Sequence, residues 1–128
     1  MDTLPKLALI ALAGSLGALS RYGLHNLINQ AAGRPTLLGT LVVNVSGAFL
    51  LGLFLALTEQ RYPLPASWRT VGAVGFLGAY TTFSTVMLES WRLIEDGAVV
   101  LGLANLVGSS VIGMVALVGG LMIGRALA

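Results

Sequence analysis

Cysteine is missing from the 128 residues, so the chain can form no disulfide and offers no thiolate to a metal. The single histidine, His25, cannot build a zinc site by itself. Charge is nearly as scarce. Asp, Glu, Lys and Arg make up 9% of the residues, against about a quarter in ordinary soluble domains, while hydrophobic residues reach 56%. Together with a mean hydropathy of +0.90, this composition defines an integral membrane protein. The net charge of +2 comes from scattered Lys and Arg, with no basic run and no interleaved aromatics, which sets nucleic acid aside as a partner.

What charge there is divides the chain into four apolar blocks: Leu7 to Ser20, running past Arg21 to about Ile28; Pro35 to Thr58; Thr70 to Leu88; and Gly97 to Gly124. Each supplies the roughly 20 residues that cross a hydrocarbon core of about 30 Å, the first only by admitting Arg21. An all-α membrane protein of four transmembrane helices is therefore expected. The first block is short and rich in small residues, like a secretory signal, but Asp2 weakens its start and three spans follow at once, so a retained helix is expected. The connections, Asn29 to Arg34, Glu59 to Arg69 and Arg92 to Asp96, leave no room for a soluble module, and residues 1–128 read as a single domain. Four spans put Lys6, Arg61, Arg69 and Arg125 on one face against Arg34 and Arg92 on the other, an excess that orients the chain only weakly.

Four helices of this size enclose too little for an aqueous route, and the chain is expected to oligomerise. Small residues recur at four-residue spacing in every span: Gly14 with Ala18, Ala48 with Gly52, Gly75 with Ala79, Ser109 with Gly113, and Gly120 with Gly124. Such rows let helices approach closely in lipid, whether within one chain or between two. The second span carries "NVSGAFLLG" from Asn44 and the fourth "NLVGSSVIG" from Asn105, an echo that suggests related packing roles. A carboxamide in a span must find a partner or water. Thr40 stands one turn from Asn44, and Ser109 and Ser110 stand one turn beyond Asn105, so these residues either glue helices together or line a wet route.

The spans lack the carboxylates of a proton relay. Arg21 and His25 lie toward the end of the first block, and Glu89 falls just past the third, where pairing with a cation or an interfacial position is expected. Neutral N–H and O–H donors remain, and these suit an anion that must bind yet leave. The edge of an aromatic ring such as Phe83 is weakly positive as well. In "GFLGAYTTFSTV", residues 75 to 86, two glycines precede a run of β-branched and hydroxyl residues, a poor helix interior. A break near the middle of the third span is expected. It either frees carbonyls for an ion or is a glycine kink repaired by threonine hydroxyls.

"GSLGALSRY" from Gly14, "GTLVVNVSGAFLLG" from Gly39 and "GFLGAYTTFST" from Gly75, in that order, resemble the Fluc (CrcB) fluoride channels of bacteria over nearly the whole chain. The resemblance implies a non-enzymatic, multi-pass protein of the bacterial inner membrane. Its subunits would pair as an antiparallel, dual-topology homodimer with two pores for passive fluoride export. It also implies a structural sodium ion, Na+, held by the main-chain carbonyls of Gly78 and Thr81. Asn44 would be a pore donor, Phe83 a ring whose edge meets fluoride, Ser84 and Thr85 residues turned toward the ion route, and Arg21 a cation near a pore mouth. Tyr80, Thr82 and Ser109 would be further lining residues. The family pattern commonly ends TTFSTF, whereas this chain has Val86, so a scheme with two phenylalanines does not carry over. The alternatives are a small multidrug-type transporter, which shares the size but needs a carboxylate that the first two spans lack, and a non-conducting assembly protein.

Overall fold

In hydrocarbon a spanning segment must bond its own backbone N–H and C=O groups, and for blocks of this length the helix is the structure that does so. The computed structural model of the protein describes residues 3–128, which form helices and short turns with no strand among them. Helix α1 (Thr3–Ala31) is the first span. Helix α2 (Leu38–Ala56) continues into a π-helical turn, Leu57–Arg61, to make the second. The third span, Ala66–Glu95, is composite: α3 (Ala66–Thr70), a π-helical stretch Val71–Leu77, α4 (Gly78–Tyr80), a break, and α5 (Phe83–Glu95). Helix α6 (Val99–Leu127) is the fourth.

The helices overrun the apolar blocks at both ends of the first and third spans and at the C-terminal ends of the second and fourth. Arg92 and Glu95, assigned to a connection by their charge, lie in the last turns of α5, and Asn29 lies within α1. Charge marks where hydrocarbon gives way to headgroups, and a helix continues past that plane. What stops α1 and α5 is glycine in the left-handed region, Gly33 at φ 67° and Gly97 at φ 84°. After Gly97, the Ala98 amide closes on the Leu93 carbonyl at 2.8 Å. In the second span the Thr58 hydroxyl donates to the Phe54 carbonyl at 2.7 Å, just where the helix widens.

Packing is set by missing side chains. A Cβ on Gly52 would strike the Leu117 carbonyl of α6, and one on Gly120 would strike the Phe49 carbonyl of α2, so these two helices touch backbone to backbone. Gly124 faces Ala56 one turn further along. Gly17 of α1 meets the Phe76 carbonyl in the same way, and Gly75 meets Ala13. The echo between "NVSGAFLLG" and "NLVGSSVIG" does not survive. Gly47 and Gly52 are buried against other elements, whereas Gly108 and Gly113 have nothing within 4 Å. The asymmetry arises because α2 lies inside the bundle and this part of α6 at its edge. Large apolar side chains such as Leu16, Leu19, Val111 and Val115 point outward, as lipid-facing surfaces require.

Candidate functional site

The break defines the site. Thr81 (φ −84°, ψ 158°) and Thr82 (φ −147°, ψ 116°) are extended, so the third span is broken near its middle. Asn44, on α2, occupies the gap. Its Oδ1 accepts from the Thr82 backbone N–H at 2.7 Å, and its Nδ2 donates to the Thr82 carbonyl at 2.9 Å. The carboxamide thus satisfies both backbone groups of one residue, as a neighbouring strand would, which is how an unwound segment persists in a membrane. One Nδ2 hydrogen remains uncommitted. Thr82 then starts α5 as its cap, accepting from the Thr85 amide at 3.3 Å.

Carbonyls lose their partners as a result. A continuous helix would aim the Thr82 N–H at the Gly78 carbonyl; here that N–H points to Asn44, leaving Gly78 C=O without its helical bond. The Leu77 carbonyl receives both the amide and the hydroxyl of Thr81, at 3.1 and 3.2 Å. Arg21 Nη1 reaches the Thr81 carbonyl at 3.4 Å.

Two cavities meet at this segment. One, of about 360 Å³, lies between α2, α5 and α6 and is lined by Asn44, Gly78, Thr81, Thr82, Phe83, Val86 and Ser109 among others. The other, of about 260 Å³, opens on the α1 side and is lined by Ala18, Arg21, Tyr22, His25, Thr40, Val43, Thr82 and Thr85. Thr82 belongs to both.

The residues singled out in the sequence therefore divide. Asn44, Thr82, Phe83 and Ser109 border the larger cavity, with Phe83 74% exposed beside Val86, which is itself buried. Arg21 and Thr85 border the smaller cleft. Ser84 is exposed at the start of α5, with its hydroxyl 3.3 Å from that of Thr82. Tyr80 turns away from both cavities. It is buried, stacks on Phe76 with 6.1 Å between ring centroids, and donates its hydroxyl to Ser46 Oγ at 2.9 Å. Asn105 donates to Ser90 Oγ at 2.9 Å and ties α6 to α5.

Glu89 departs from the expectation of a cation partner or an interfacial place. It lies within the third span, its Oε1 accepts from Thr40 Oγ1 at 2.6 Å, and its Oε2 is buried without a hydrogen-bond partner. The ion pair found among the described residues is instead Arg69 with Glu59 at 3.0 Å, at the exposed second connection. The third block ends at Leu88 because Glu89 itself is charged, so this carboxylate is expected just outside the span that in fact holds it. His25 and Thr40 were visible as polar residues on adjacent spans, but that they meet Glu89 needed the helix packing.

A broken, carboxamide-pinned span beside two polar-edged cavities, in a chain with four helices long and apolar enough to cross a membrane, defines a multi-pass membrane protein of the ion-pathway class. Comparison with known proteins narrows this. The profile of the family described as CrcB-like protein, Camphor Resistance (CrcB) matches residues 8–121, and the chain belongs to that family. A protein of Geobacter sp. (strain M21) named fluoride-specific ion channel FluC is 41% identical over 122 residues, covering 95% of this chain and 98% of that protein. A protein of the same name from Solidesulfovibrio magneticus is 44% identical over 124 residues, 97% of this chain and 99% of its own length. One from Solibacter usitatus is 44% identical over 104 residues, 81% of this chain and 85% of its own.

Proposed function

We propose that this protein is a fluoride-selective channel through which fluoride leaves the bacterial cytoplasm passively across the plasma membrane. The relatives' names point to the ion. The observation that carries the reading is the Asn44–Thr82 pair, which holds an unwound, hydroxyl-rich stretch between two cavities and keeps one amide hydrogen free to donate. The charged group that reaches the break is a cation, Arg21. Such a lining attracts a small anion without the strong binding that would retain it. Asn44, Phe83, Ser84, Thr85 and, less directly, Thr82 and Ser109 are the donors and ring edges of the route.

The working unit we infer is an antiparallel homodimer inserted in both orientations, with two pores. The weak charge asymmetry supports it, as does the open space around Gly108 and Gly113 of α6, the latter bordering the larger cavity, where a second copy would approach closely. A structural sodium ion fits the carbonyls of Gly78 and Thr81. Both residues border the larger cavity, the Gly78 carbonyl has lost its helical partner, and unwound carbonyls suit a hard cation, although the Thr81 carbonyl would have to give up Arg21, which reaches it at 3.4 Å. When bound, sodium would supply positive charge that ties the two broken helices together.

The test is fluoride efflux from proteoliposomes, with chloride measured in parallel and Asn44→Ala as the comparison. Rapid fluoride loss, chloride retention and an impaired variant are expected; equal release of both ions refutes the reading. Glu89, a carboxylate inside the third span, favours a second reading, proton-coupled fluoride exchange. An imposed proton gradient that cannot drive fluoride against its own concentration gradient separates the channel from that exchanger.

A further inference from the structure

His25 plays no part in the route described above, yet it sits where three spans meet. Its Nε2 lies 2.9 Å from Asn29 Nδ2. The Asn29 amide cannot be turned around without loss, because its Oδ1 accepts from the Thr36 backbone N–H at 3.1 Å and from the Thr36 hydroxyl at 3.2 Å. The NH2 end therefore faces the ring, and an NH2 group only donates, which makes Nε2 the acceptor and places the ring proton on Nδ1. Nδ1 is 3.5 Å from Thr40 Oγ1, and Thr40 donates its own proton to Glu89 Oε1 at 2.6 Å. The hydrogen bonds thus run in one direction from the first connection, through α1 and α2, to α5.

The helices leave room for this ring. A Cβ on Gly39 would stand 2.7 Å from His25 Nδ1, so the imidazole lies against bare backbone of α2. The same ring borders the cleft lined by Arg21, Tyr22, Thr40 and Thr82. The titratable and charged groups around it are Arg21 and Tyr22 on its own helix and Glu89 on α5, reached through Thr40. Helix α2 presents Gly39 and Thr40, which do not titrate, and the charged residue of α6, Arg125, is at that helix's far end.

We propose that His25 is a proton-responsive positioning residue for this cleft: neutral, it directs the Thr40 hydroxyl and anchors the first connection through Asn29; protonated, it gives up Asn29 and sets a second cation beside Arg21. A proton on Nε2 would face donor against donor. Turning Asn29 to present its oxygen would then break both bonds to Thr36, so protonation loosens the link between α1 and the connection that follows. The imidazolium still donates to Thr40 from Nδ1. Added positive charge in a narrow cleft raises the local concentration of anions. The effect on flux rests on the fluoride-channel reading; the state of the ring does not.

Because the chain has one histidine, the test can observe it directly. Protein labelled with 15N-histidine and reconstituted in bilayers is expected to show the neutral ring in its Nδ1–H form, and the doubly protonated ring with its bond to Asn29 lost. Asn29→Ala is expected to shift the neutral ring to the Nε2–H form. In proteoliposomes at equal internal and external pH, corrected for protein-free vesicles, fluoride efflux is expected to rise roughly two- to tenfold as the ring takes up its second proton, followed by its 15N signal in the same bilayers, and to stay level over the same pH range in His25→Gln. An Nε2–H ring in the wild type, or a pH profile shared by wild type and variant, overturns the proposal. If the wild type passes no fluoride at any pH, the channel reading fails and the ring's tautomer alone decides the role of His25.

Discussion

Replacing Asn44 by alanine removes two hydrogen bonds to the backbone of one residue, at 2.7 and 2.9 Å. Two scales bound the cost. An orphaned buried backbone group costs about 1–3 kcal/mol, which for two groups gives roughly 2–6. Hydrogen bonds measured between membrane helices average only about 0.6 kcal/mol, which gives about 1. Thr82 borders both cavities, so the freed groups face open space and not packed side chains, and the lower scale decides. We predict that Asn44→Ala loses about 1–2 kcal/mol of stability and stays folded, while its fluoride flux falls by at least about tenfold, because a lost donor in the path acts on the barrier itself. Asn44→Asp keeps the acceptor for the Thr82 N–H but loses the donor to the Thr82 carbonyl together with the free one, and sets a carboxylate oxygen against that carbonyl; it should be as inactive as alanine and no more stable. Thermal unfolding of the reconstituted protein and electrode-monitored efflux read the two effects. An alanine variant that melts with wild type and conducts would refute the assignment of Asn44 to both jobs.

Other contacts give sharper stability tests. Gly120→Ala, whose new Cβ would strike the Phe49 carbonyl, should destabilise by about 1–3 kcal/mol, whereas Gly108→Ala, with open space around it, should leave the monomer's stability unchanged or slightly raised. Tyr80→Phe loses its bond to Ser46, should cost about 0.5–1.5 kcal/mol in thermal unfolding, and should conduct at the wild-type rate because the ring faces neither cavity. Val86→Phe adds bulk at a buried position that borders the larger cavity, so the ring has somewhere to go. It should cost about 1–3 kcal/mol, and a fluoride-to-chloride flux ratio that differs from wild type would place residue 86 on the route.

Much of the architecture was legible because it is written in composition. Four apolar blocks became four spans, and the run of glycine, threonine and serine from Gly75 marked the break correctly, since no other segment combines so many poor helix formers. Asn44 stood out as a carboxamide that hydrocarbon would not tolerate alone. Its partner did not stand out, because a backbone amide has no signature in sequence. Glu89 was misread for the same reason that the helix ends were: a charged residue marks the edge of an apolar run, while the helix and its hydrogen bonds continue past it. The paired "N-x-x-G" segments misled because identical small residues pack tightly in α2 and lie open in α6. The widened turns at Leu57–Arg61 and Val71–Leu77 left no trace that periodicity could detect.

The divided third span has a consequence for how the protein is made. Helix α5 has 13 residues and is about 20 Å long, too short to cross a bilayer core of about 30 Å by itself. The insertion machinery must therefore accept the two halves as one apolar segment, and the interruption can settle only after Asn44 is in place to receive Thr82. Because Asn44 belongs to the preceding span, synthesis from the N-terminus delivers it first. The order of the spans along the chain thereby serves as the order of assembly, and a variant lacking this carboxamide should expose the third span to premature release and degradation during biogenesis.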